Sequence, residues 1–354
     1  MTPKHSDYMH WAKTQSRARF NLATSGVGPY PLSELDLSEV RLEINGDNSY
    51  GYPPLKQAIA DRHGVDPDCV VAAAGTSMAN YLAFATMLNA GDEVLIECPT
   101  YALLLDALRY IGVSLKTFAR PADHGFALDP GEVRRSLTPK TKLIVATNLH
   151  NPSSVLAPEP VLREIGGLAR SVGARVLIDE VYLDAVYENT PRTSFHLGPE
   201  FVVTSSLTKV YGLSGLRCGW ILAQPDLARA MWHLNNLFAA TPVHPGELLS
   251  VTAFQQLDRI RSRSRRIVER DRAALDAFLD GEPRVSAVRT PFGTTAFLQL
   301  PGAEEFLARL RSDYETSAVP GRFFGLDHGF RVGMGVNSEM FAEGLRRMSA
   351  ALQL

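Results

Sequence analysis

Cysteine, net charge and long apolar runs are all scarce in this sequence. The 354 residues include three cysteines, Cys69, Cys98 and Cys218, and no Cys-x-x-Cys pair. Neither a disulfide framework nor a zinc site is therefore indicated, and we expect no metal. The formal net charge of −2 gives no overall field that would attract nucleic acid or an anionic membrane. No stretch approaches the ~20 apolar residues of a membrane-spanning helix, so we expect a reduced, cytoplasmic protein without membrane or nucleic-acid partners.

Two nucleotide-binding motifs are also missing, because no Gly-x-Gly-x-x-Gly follows the first predicted strand and no Walker lysine motif is present. The arginine-rich stretch 259–266 could suggest nucleic-acid binding, but apolar residues at helical spacing and flanking acids favour a solvated helix face. Between residues 68 and 222, apolar strands alternate with helical stretches, which predicts an α/β fold with a mostly parallel sheet. Residues 284–354 are predicted to form an α+β tail.

The segment from Phe201 to Trp220 carries the clearest chemistry. A short apolar strand ends at Ser206, Lys209 follows in a polar turn, and Arg217 lies eight residues after the lysine. A lysine forms a Schiff base with a carbonyl where its surroundings lower its pKa, and arginine is well suited to bind phosphate. Pyridoxal phosphate (PLP) requires both groups. For this segment alone, the alternative is a solvated lysine in a loop.

The complete motif resembles the lysine motif of the class I/II aminotransferases, which are PLP enzymes of fold type I. Ser206 precedes Lys209 by three residues, Arg217 follows it by eight, and Gly219 comes two residues later. The resemblance implies that Lys209 holds PLP as a Schiff base and that Ser206 and Arg217 bind the cofactor's phosphate. It extends in order over roughly residues 20–350.

A phosphate-binding turn is predicted at Gly75, Thr76 and Ser77, between an apolar strand and a helix. Free N–H groups at a helix N-terminus, together with the helix dipole, favour an anion. The resemblance makes this turn the phosphate loop of the family. The alternative is that Thr76 or Ser77 is an ordinary helix N-cap.

Two further positions follow predicted strands and match the family in order. Tyr101 matches the aromatic residue that lies over the pyridine ring. Asn151, in an Asn-Pro pair, matches the asparagine that donates to the phenolic oxygen of PLP and lies beside the substrate. The glycine that usually follows is absent, since the sequence runs Ser-Ser-Val-Leu at residues 153–156, which leaves the local turn open. Core packing is the alternative for Tyr101, and a plain turn is the alternative for Asn151.

Asp179 ends a predicted buried strand, where a carboxylate is costly unless it is paired. A protonated pyridine nitrogen would be a suitable partner, and the pairing would keep the ring an effective electron sink. Asp179 and Tyr182 match the family's Asp-x-x-Tyr, in which the tyrosine also contacts the phenolic oxygen. The alternative role of Asp179 is a helix N-cap.

Arg331 lies in a Phe-Arg-Val-Gly motif and matches the arginine that binds the substrate's α-carboxylate in the family, a bidentate task that suits arginine. Arg322 is the local competitor, expected to be a surface or salt-bridged residue. Gly26 is a candidate substrate contact, with a plain turn as the alternative. Tyr50, or else Tyr52, is a candidate to reach the cofactor phosphate of a partner subunit, with packing on the following helix as the alternative.

The resemblance implies a fold type I PLP-dependent transferase. Its large domain, residues 35–235, would hold a mostly parallel central sheet flanked by helices, and residues 1–34 and 236–354 would form a smaller α+β domain. It further implies a homodimer and an aminotransferase that moves an amino group between an L-amino acid and a 2-oxo acid.

Two other functions stay open. The first is another PLP reaction on the same scaffold, by a β-lyase, decarboxylase, racemase or cyclising biosynthetic enzyme. The second is a non-catalytic sensor module. We identify no second arginine dedicated to a side-chain carboxylate, so the sequence gives no support for a preference for aspartate.

Overall fold

The structure is a computed structural model that describes residues 4–353. In these residues the strands are, in chain order, β1 (Phe20–Asn21), β2 (Val70–Ala74), β3 (Glu93–Cys98), β4 (Ser114–Ala119), β5 (Thr141–Thr147), β6 (Arg175–Asp179), β7 (Phe201–Ser206), β8 (Cys218–Leu222), β9 (Ser286–Ala287), β10 (Thr295–Gln299), β11 (Thr316–Ser317), β12 (Val319–Pro320) and β13 (Phe330–Gly333). The α-helices are α1 (Asp7–Thr14), α2 (Pro53–His63), α3 (Thr76–Met87), α4 (Ala102–Ile111), α5 (Pro130–Ser136), α6 (Glu159–Ser171), α7 (Pro225–Asn235), α8 (His244–Gln255), α9 (Leu257–Gly281), α10 (Ala303–Tyr314) and α11 (Ser338–Leu352).

Seven strands form the central sheet, in the order β2-β8-β7-β6-β5-β3-β4. Strand β8 is antiparallel to both of its neighbours, and the pairs from β7 to β4 are all parallel. Helices cover both faces, so that every residue of β7 and β8 is buried. This burial explains why Phe201–Val203 of β7 and the whole of β8 carry no charged or strongly polar side chain, as expected of a sheet covered on both sides. The prediction of an α/β fold with a mostly parallel sheet is confirmed.

A second, smaller sheet is antiparallel and has the order β12-β13-β10-β9. Its core is shared with the C-terminal helices and includes Phe306, Phe330 and Phe341. The N-terminal segment joins this part of the molecule, because β1 pairs in parallel with β11. Residues 20–21 and 316–317 therefore lie side by side although about 300 residues separate them.

Sequence periodicity placed most of these elements correctly, but it missed α1. The first 30 residues show little apolar periodicity, yet Asp7–Thr14 is helical and begins at Ser6, whose hydroxyl accepts a hydrogen bond from the N–H of Met9. The expected break at Pro242–Pro245 is present, because α7 ends at Asn235 and α8 begins at His244. Helix α8 has proline in its first turn, a position where the missing N–H costs nothing.

The arginine-rich stretch 259–266 lies in α9, as predicted. Arg265 is bonded to Glu269 and Glu188, each at 2.6 Å, and Arg261 donates to the carbonyl of Asp184 at 3.1 Å. Among residues 4–353, no helix is both long enough and apolar enough to span a membrane.

Candidate active site

A cavity of about 330 Å³ opens at the carboxyl edge of the central sheet. Ligands bind at this edge in open α/β sheets because the turns that follow the strands converge there. Eight of the predicted site residues line the cavity: Thr76, Ser77, Tyr101, Asn151, Asp179, Tyr182, Lys209 and Arg217. The sequence therefore predicted one whole side of this cavity from positions scattered over more than 140 residues.

Lys209 lies just after β7, and its amine points into the cavity. The Nζ atom donates a hydrogen bond to the Ser25 hydroxyl at 2.7 Å. Burial lowers the pKa of Lys209 to about 8, and the positive charges of Arg331 and Arg217 act in the same direction, while Asp179 opposes them. A lysine with this pKa has a substantial fraction of free amine near neutral pH, which a nucleophilic or proton-transferring lysine needs.

Asp179 is the last residue of β6 and is buried. One carboxylate oxygen accepts from the side-chain amide of Asn80 at 2.9 Å, and the other accepts from the N–H of Val181 at 3.1 Å. Burial raises the pKa of Asp179 to about 6, although both hydrogen bonds work against this rise. The contact with Val181 resembles the capping role considered above, but it occupies only one of the two oxygens.

Asn80 is a site residue that the sequence did not reveal. It lies on α3, one turn after Thr76, so that both side chains face the cavity. Its carbonyl oxygen accepts from the hydroxyl of Thr204 on β7 at 2.6 Å, and this contact orients the amide toward Asp179. The helical spacing from Thr76 was the one available signal.

The turn before α3 has the form of an anion site. Gly75 occupies the N-cap position with a φ of 79°, and no side chain caps the helix, so the proposed N-cap role of Thr76 or Ser77 is wrong. The Thr76 hydroxyl instead donates to Ser206 at 2.7 Å. Ser206 also bonds Thr208 at 2.7 Å, and Thr208 is a second residue that the sequence analysis did not single out.

Arg217 closes the same turn from the other side. Its guanidinium donates to the carbonyls of Ala74 at 2.9 Å and Ser214 at 3.0 Å and is otherwise exposed. A Cβ added at Gly75 would overlap this guanidinium, and one added at Gly219 would lie 2.6 Å from the Gly75 Cα. Both glycines are therefore required for the close approach of Arg217 to the helix N-terminus.

Arg331 lies on β13, fully buried, and does not line the cavity itself but sits behind Asn151 and Tyr8, which do. Its guanidinium donates to the side chain of Asn151 at 3.0 Å and to the hydroxyl of Tyr8 at 3.2 Å, while its Nε has no hydrogen-bond partner. Tyr8 lies on α1 and was missed together with that helix. Arg322, the competing candidate, is half exposed and forms an ion pair with Glu304, as expected of a surface residue.

Two tyrosines complete the cavity. Tyr101 is in edge-to-face contact with Tyr8, with ring centroids 5.7 Å apart, and it still lines the cavity. Burial raises the pKa of Tyr182 to about 12, and the positive charge of Arg331 opposes the rise. Ser25, which accepts from Lys209, lines the same cavity, although the sequence gave no sign of it beyond its place before Gly26.

Gly26 and Tyr50 do not line the cavity. A Cβ at Gly26 would lie 2.8 Å from the carbonyl oxygen of Lys209 and 2.9 Å from its Cα, so this glycine permits close packing under the lysine backbone. Tyr50 is 48% exposed and its ring packs edge-on against Trp232, with centroids 6.2 Å apart. Tyr52 packs instead against His244, with centroids 4.9 Å apart. A role for either tyrosine at a partner subunit stays a prediction.

The turn after Asn151 forms without the glycine that is usual in the family. Ser154 takes the left-handed conformation there, with a φ of 62°, a region that costs a non-glycine residue some strain. Its hydroxyl donates to the carbonyl of Thr295 at 2.8 Å and its N–H to the carbonyl of His150 at 2.6 Å. These bonds stabilise the turn, so the absent glycine does not displace Asn151.

Comparison with known proteins identifies the class. The family model for aminotransferases of class I and II matches residues 38–348, and the chain belongs to that family. A probable aspartate/prephenate aminotransferase of Thermus aquaticus is 27% identical over 318 residues, which cover 86% of this chain and 82% of that protein. The capreomycidine synthase of Streptomyces vinaceus is 27% identical over 95% of this chain and 90% of its own length.

A solved structure has the same fold over nearly the whole chain. The PLP-dependent aminotransferase from Streptococcus suis superimposes with a TM-score of 0.90 at 24% identity, covering 99% of this chain and 98% of that one. The predicted recognition, fold type I architecture, aminotransferase class and PLP cofactor are confirmed by these comparisons and the family match.

The residues around the cavity fit PLP on their own chemistry. The buried carboxylate of Asp179 holds only neutral donors, and its raised pKa marks a negative charge that a protonated ring nitrogen would stabilise. The uncapped N-terminus of α3 beside Arg217 offers donors for a phosphate. The lysine of lowered pKa lies in the same cavity.

Proposed function

We propose that this chain transfers an amino group between an L-amino acid and a 2-oxo acid, with Lys209 as the catalytic residue. One observation carries the proposal: an amine of lowered pKa and a buried carboxylate of raised pKa line one cavity, and the buried guanidinium of Arg331 is bonded to Asn151 and Tyr8 of the same lining. Groups whose pKa values are displaced in a shared cleft are typical of active sites.

PLP, when bound, supplies an aldehyde that captures amines and a ring that withdraws electrons from the substrate's α-carbon. Lys209 would hold the aldehyde carbon and, once free, would carry the proton that leaves the α-carbon. Asp179 would keep the ring nitrogen protonated, with Asn80 fixing the orientation of the carboxylate. Ser25 accepts from the Lys209 amine and so would orient it within the cavity.

The other residues would position the cofactor and the substrate. Arg217, Ser206 and the Gly75–Ser77 turn would bind the phosphate, and Tyr101 would lie over the ring. Asn151 and Tyr182 would contact the phenolic oxygen. Arg331 would bind the substrate's α-carboxylate, for which its guanidinium already has one free N–H.

Another PLP reaction on the same scaffold remains the second candidate. The similarity to the capreomycidine synthase of Streptomyces vinaceus over 95% of the chain supports a cyclising reaction as this second candidate. The sites proposed for Lys209, Asp179 and Arg331 would serve either reaction, so the products must separate them.

An absorption titration tests the proposal. The purified holoenzyme should show a visible band in the yellow region, and a suitable amino acid should convert the cofactor to its pyridoxamine form with release of a 2-oxo acid. A band that shifts without this conversion would favour a lyase, a decarboxylase or a cyclase. In the Lys209→Ala variant, turnover should fall about 10³-fold or more, whereas Lys140→Ala, on an exposed turn, should behave as wild type.

We also propose a homodimer, supported by an exposed apolar patch that consists of Leu42, Ile44, Tyr50, Leu237, Phe238 and Val243. These residues come from two segments of the chain, 42–50 and 237–243, which are joined by a hydrogen bond from the Asn48 side chain to the carbonyl of Pro242 at 2.9 Å. Patches of this kind usually mark interfaces, and Tyr50 belongs to this one. Light scattering should give twice the chain mass, and Phe238→Asp should shift it toward the monomer; a monomeric wild type would contradict the dimer.

We also propose a large domain of residues 35–235, a small domain of residues 1–34 and 236–354, and a cytoplasmic location. The separate core of the small sheet, which includes Leu298, Phe330 and Met348, supports two units. Helix α8 follows the proposed boundary but packs against α2 and β8. Limited proteolysis would map the boundary directly.

A further inference from the structure

Each charged group of the cavity has a proposed partner, and this limits which substrate side chains the cavity can accept. Arg120, behind Thr147 of the lining, is paired with Glu97. Among residues 4–353, the other cationic side chains in the cavity or directly behind it are Lys209, Arg217 and Arg331. They would serve the cofactor's aldehyde, its phosphate and the substrate's α-carboxylate. The anionic residue of the lining is Asp179, which is bonded to Asn80 and Val181. A substrate side chain of either charge would therefore enter without a partner from this chain.

The space that remains is bounded by uncharged side chains of helix α1 and of the residues that follow it. Met9 and Ala12 lie three residues apart on one face of α1, and Ser16, just beyond the helix, donates to the carbonyl of Ala12; all three line the cavity. Ala23 lines it beside them. These residues form the α1 wall of the cavity, and small or flexible apolar side chains dominate it.

The α1 wall begins beside the group that would bind the carboxylate. Tyr8 precedes Met9 and accepts a hydrogen bond from Arg331 at 3.2 Å. Two aromatic contacts fix the helix: Tyr8 against Tyr101 at 5.7 Å between centroids, and Trp11 against Phe323 at 5.4 Å. An amino acid held at Arg331 would consequently direct its side chain along this wall.

We infer that the substrate is an amino acid with an uncharged side chain, and that Met9 and Ala12 determine which sizes fit. The inference rests on the proposed function, since it assumes that Arg331 binds the α-carboxylate. A buried charge without a partner is strongly disfavoured, whereas each methylene that fits an apolar wall improves binding by roughly 10-fold or more. A charged side chain is thus rejected and an apolar one is selected by length.

The test is a single-turnover measurement on the holoenzyme, in which an amino acid alone converts the bound cofactor and no acceptor is needed. Norleucine, glutamate and lysine have side chains of similar length, so the comparison isolates charge. Norleucine should react at least about 100-fold faster per unit concentration than either charged amino acid. Equal or faster reaction of glutamate or lysine would overturn the inference, whereas no conversion by any amino acid would instead contradict the proposed function.

Two pairs of variants locate the selection on α1. Met9→Arg should raise the rate with glutamate relative to norleucine at least about 10-fold, because it adds a cation to the wall. His10→Arg adds the same charge to the exposed side of the helix and should leave the ratio unchanged. Ala12→Phe should slow norleucine at least about 10-fold and spare alanine, while the exposed Lys13→Phe should do neither. Equal effects within each pair would show that α1 does not select the substrate.

Discussion

The two sides of the active-site cavity are built in different ways. On one side, Asp179 ends β6 while Asn151 and Lys209 follow β5 and β7 of the seven-stranded sheet, and the pairs β3–β5, β5–β6 and β6–β7 each span four or five residues. On the other side, the α1 wall and Arg331 meet through contacts between residues more than 300 positions apart. The backbone pairing that ties this N-terminal segment down, β1 with β11, is only two residues long.

This difference suggests a division of tasks. The sheet side holds the groups that would perform the chemistry, and its buried strands should open only with global unfolding. The α1 side holds groups that would bind the carboxylate and choose the side chain, and its short pairing permits local opening at lower free energy. Substitutions on the sheet side should therefore reduce the chemical step most, while those on the α1 side should mainly change the affinity for the substrate.

The largest expected effect is on the sheet side, at Asp179. Asp179→Asn keeps the size of the side chain but removes the charge proposed to stabilise a protonated ring nitrogen. We expect kcat to fall about 10²- to 10³-fold, the size of the loss when one preorganised electrostatic group is removed. Steady-state kinetics with the best amino acid measure this. A loss below about threefold would show that Asp179 does not act on the ring.

The same variant should stabilise the apoenzyme. Burial raises the pKa of Asp179 to about 6 from an ordinary value of 3.8, so the folded state favours the protonated form. Above about pH 6 the charged carboxylate destabilises the fold by about 3 kcal/mol, and the penalty vanishes near pH 4. The PLP-free variant should therefore unfold at higher denaturant concentration than wild type at pH 8 but not at pH 4. Lower stability at pH 8 would contradict the conclusion that burial of the charged Asp179 carboxylate destabilises the fold.

The next largest effect is expected across the cavity, at Arg331. Arg331→Lys keeps the charge but loses the bidentate geometry suited to a carboxylate. Losing one charge-assisted hydrogen bond of about 1.5–3 kcal/mol should lower kcat/KM about 10- to 100-fold, chiefly by raising KM. Arg322→Lys is the matched control, because Arg322 lies nine residues earlier on the surface with Glu304. An equal loss in both variants would show that Arg331 does not bind the substrate.

The two sides also differ in how far the sequence could predict them. Asp179 and Lys209 were identified because a polar residue directly after an apolar strand is a local pattern, and the parallel sheet brings such positions to one edge. Asn80 was missed because its role depends on which face of α3 meets Asp179, which only packing decides. Tyr8 was missed because α1 is a short helix of weak periodicity that is held by tertiary contacts.

The pH dependence of cofactor capture tests whether both sides act on Lys209. Burial, and then the charge of Arg331, lower the pKa of Lys209 to about 8. Because only the free amine can react with the aldehyde, the rate at which the apoenzyme takes up PLP should rise about tenfold per pH unit and level off near pH 8. In Arg331→Met the midpoint should move upward, since a neighbouring positive charge is gone. A wild-type midpoint near 10 would mean that the amine is solvated.

The smallest expected effect concerns the contact between the two ends of the chain. Tyr8→Phe removes the hydroxyl that accepts from Arg331 but keeps the ring that packs against Tyr101. The loss of one hydrogen bond of about 1 kcal/mol should raise KM about fivefold and leave kcat nearly unchanged. Tyr110→Phe, which alters an exposed hydroxyl on α4, is the control. If kcat fell instead while KM held, Tyr8 would act on the chemical step, and the division of tasks between the two sides would not hold.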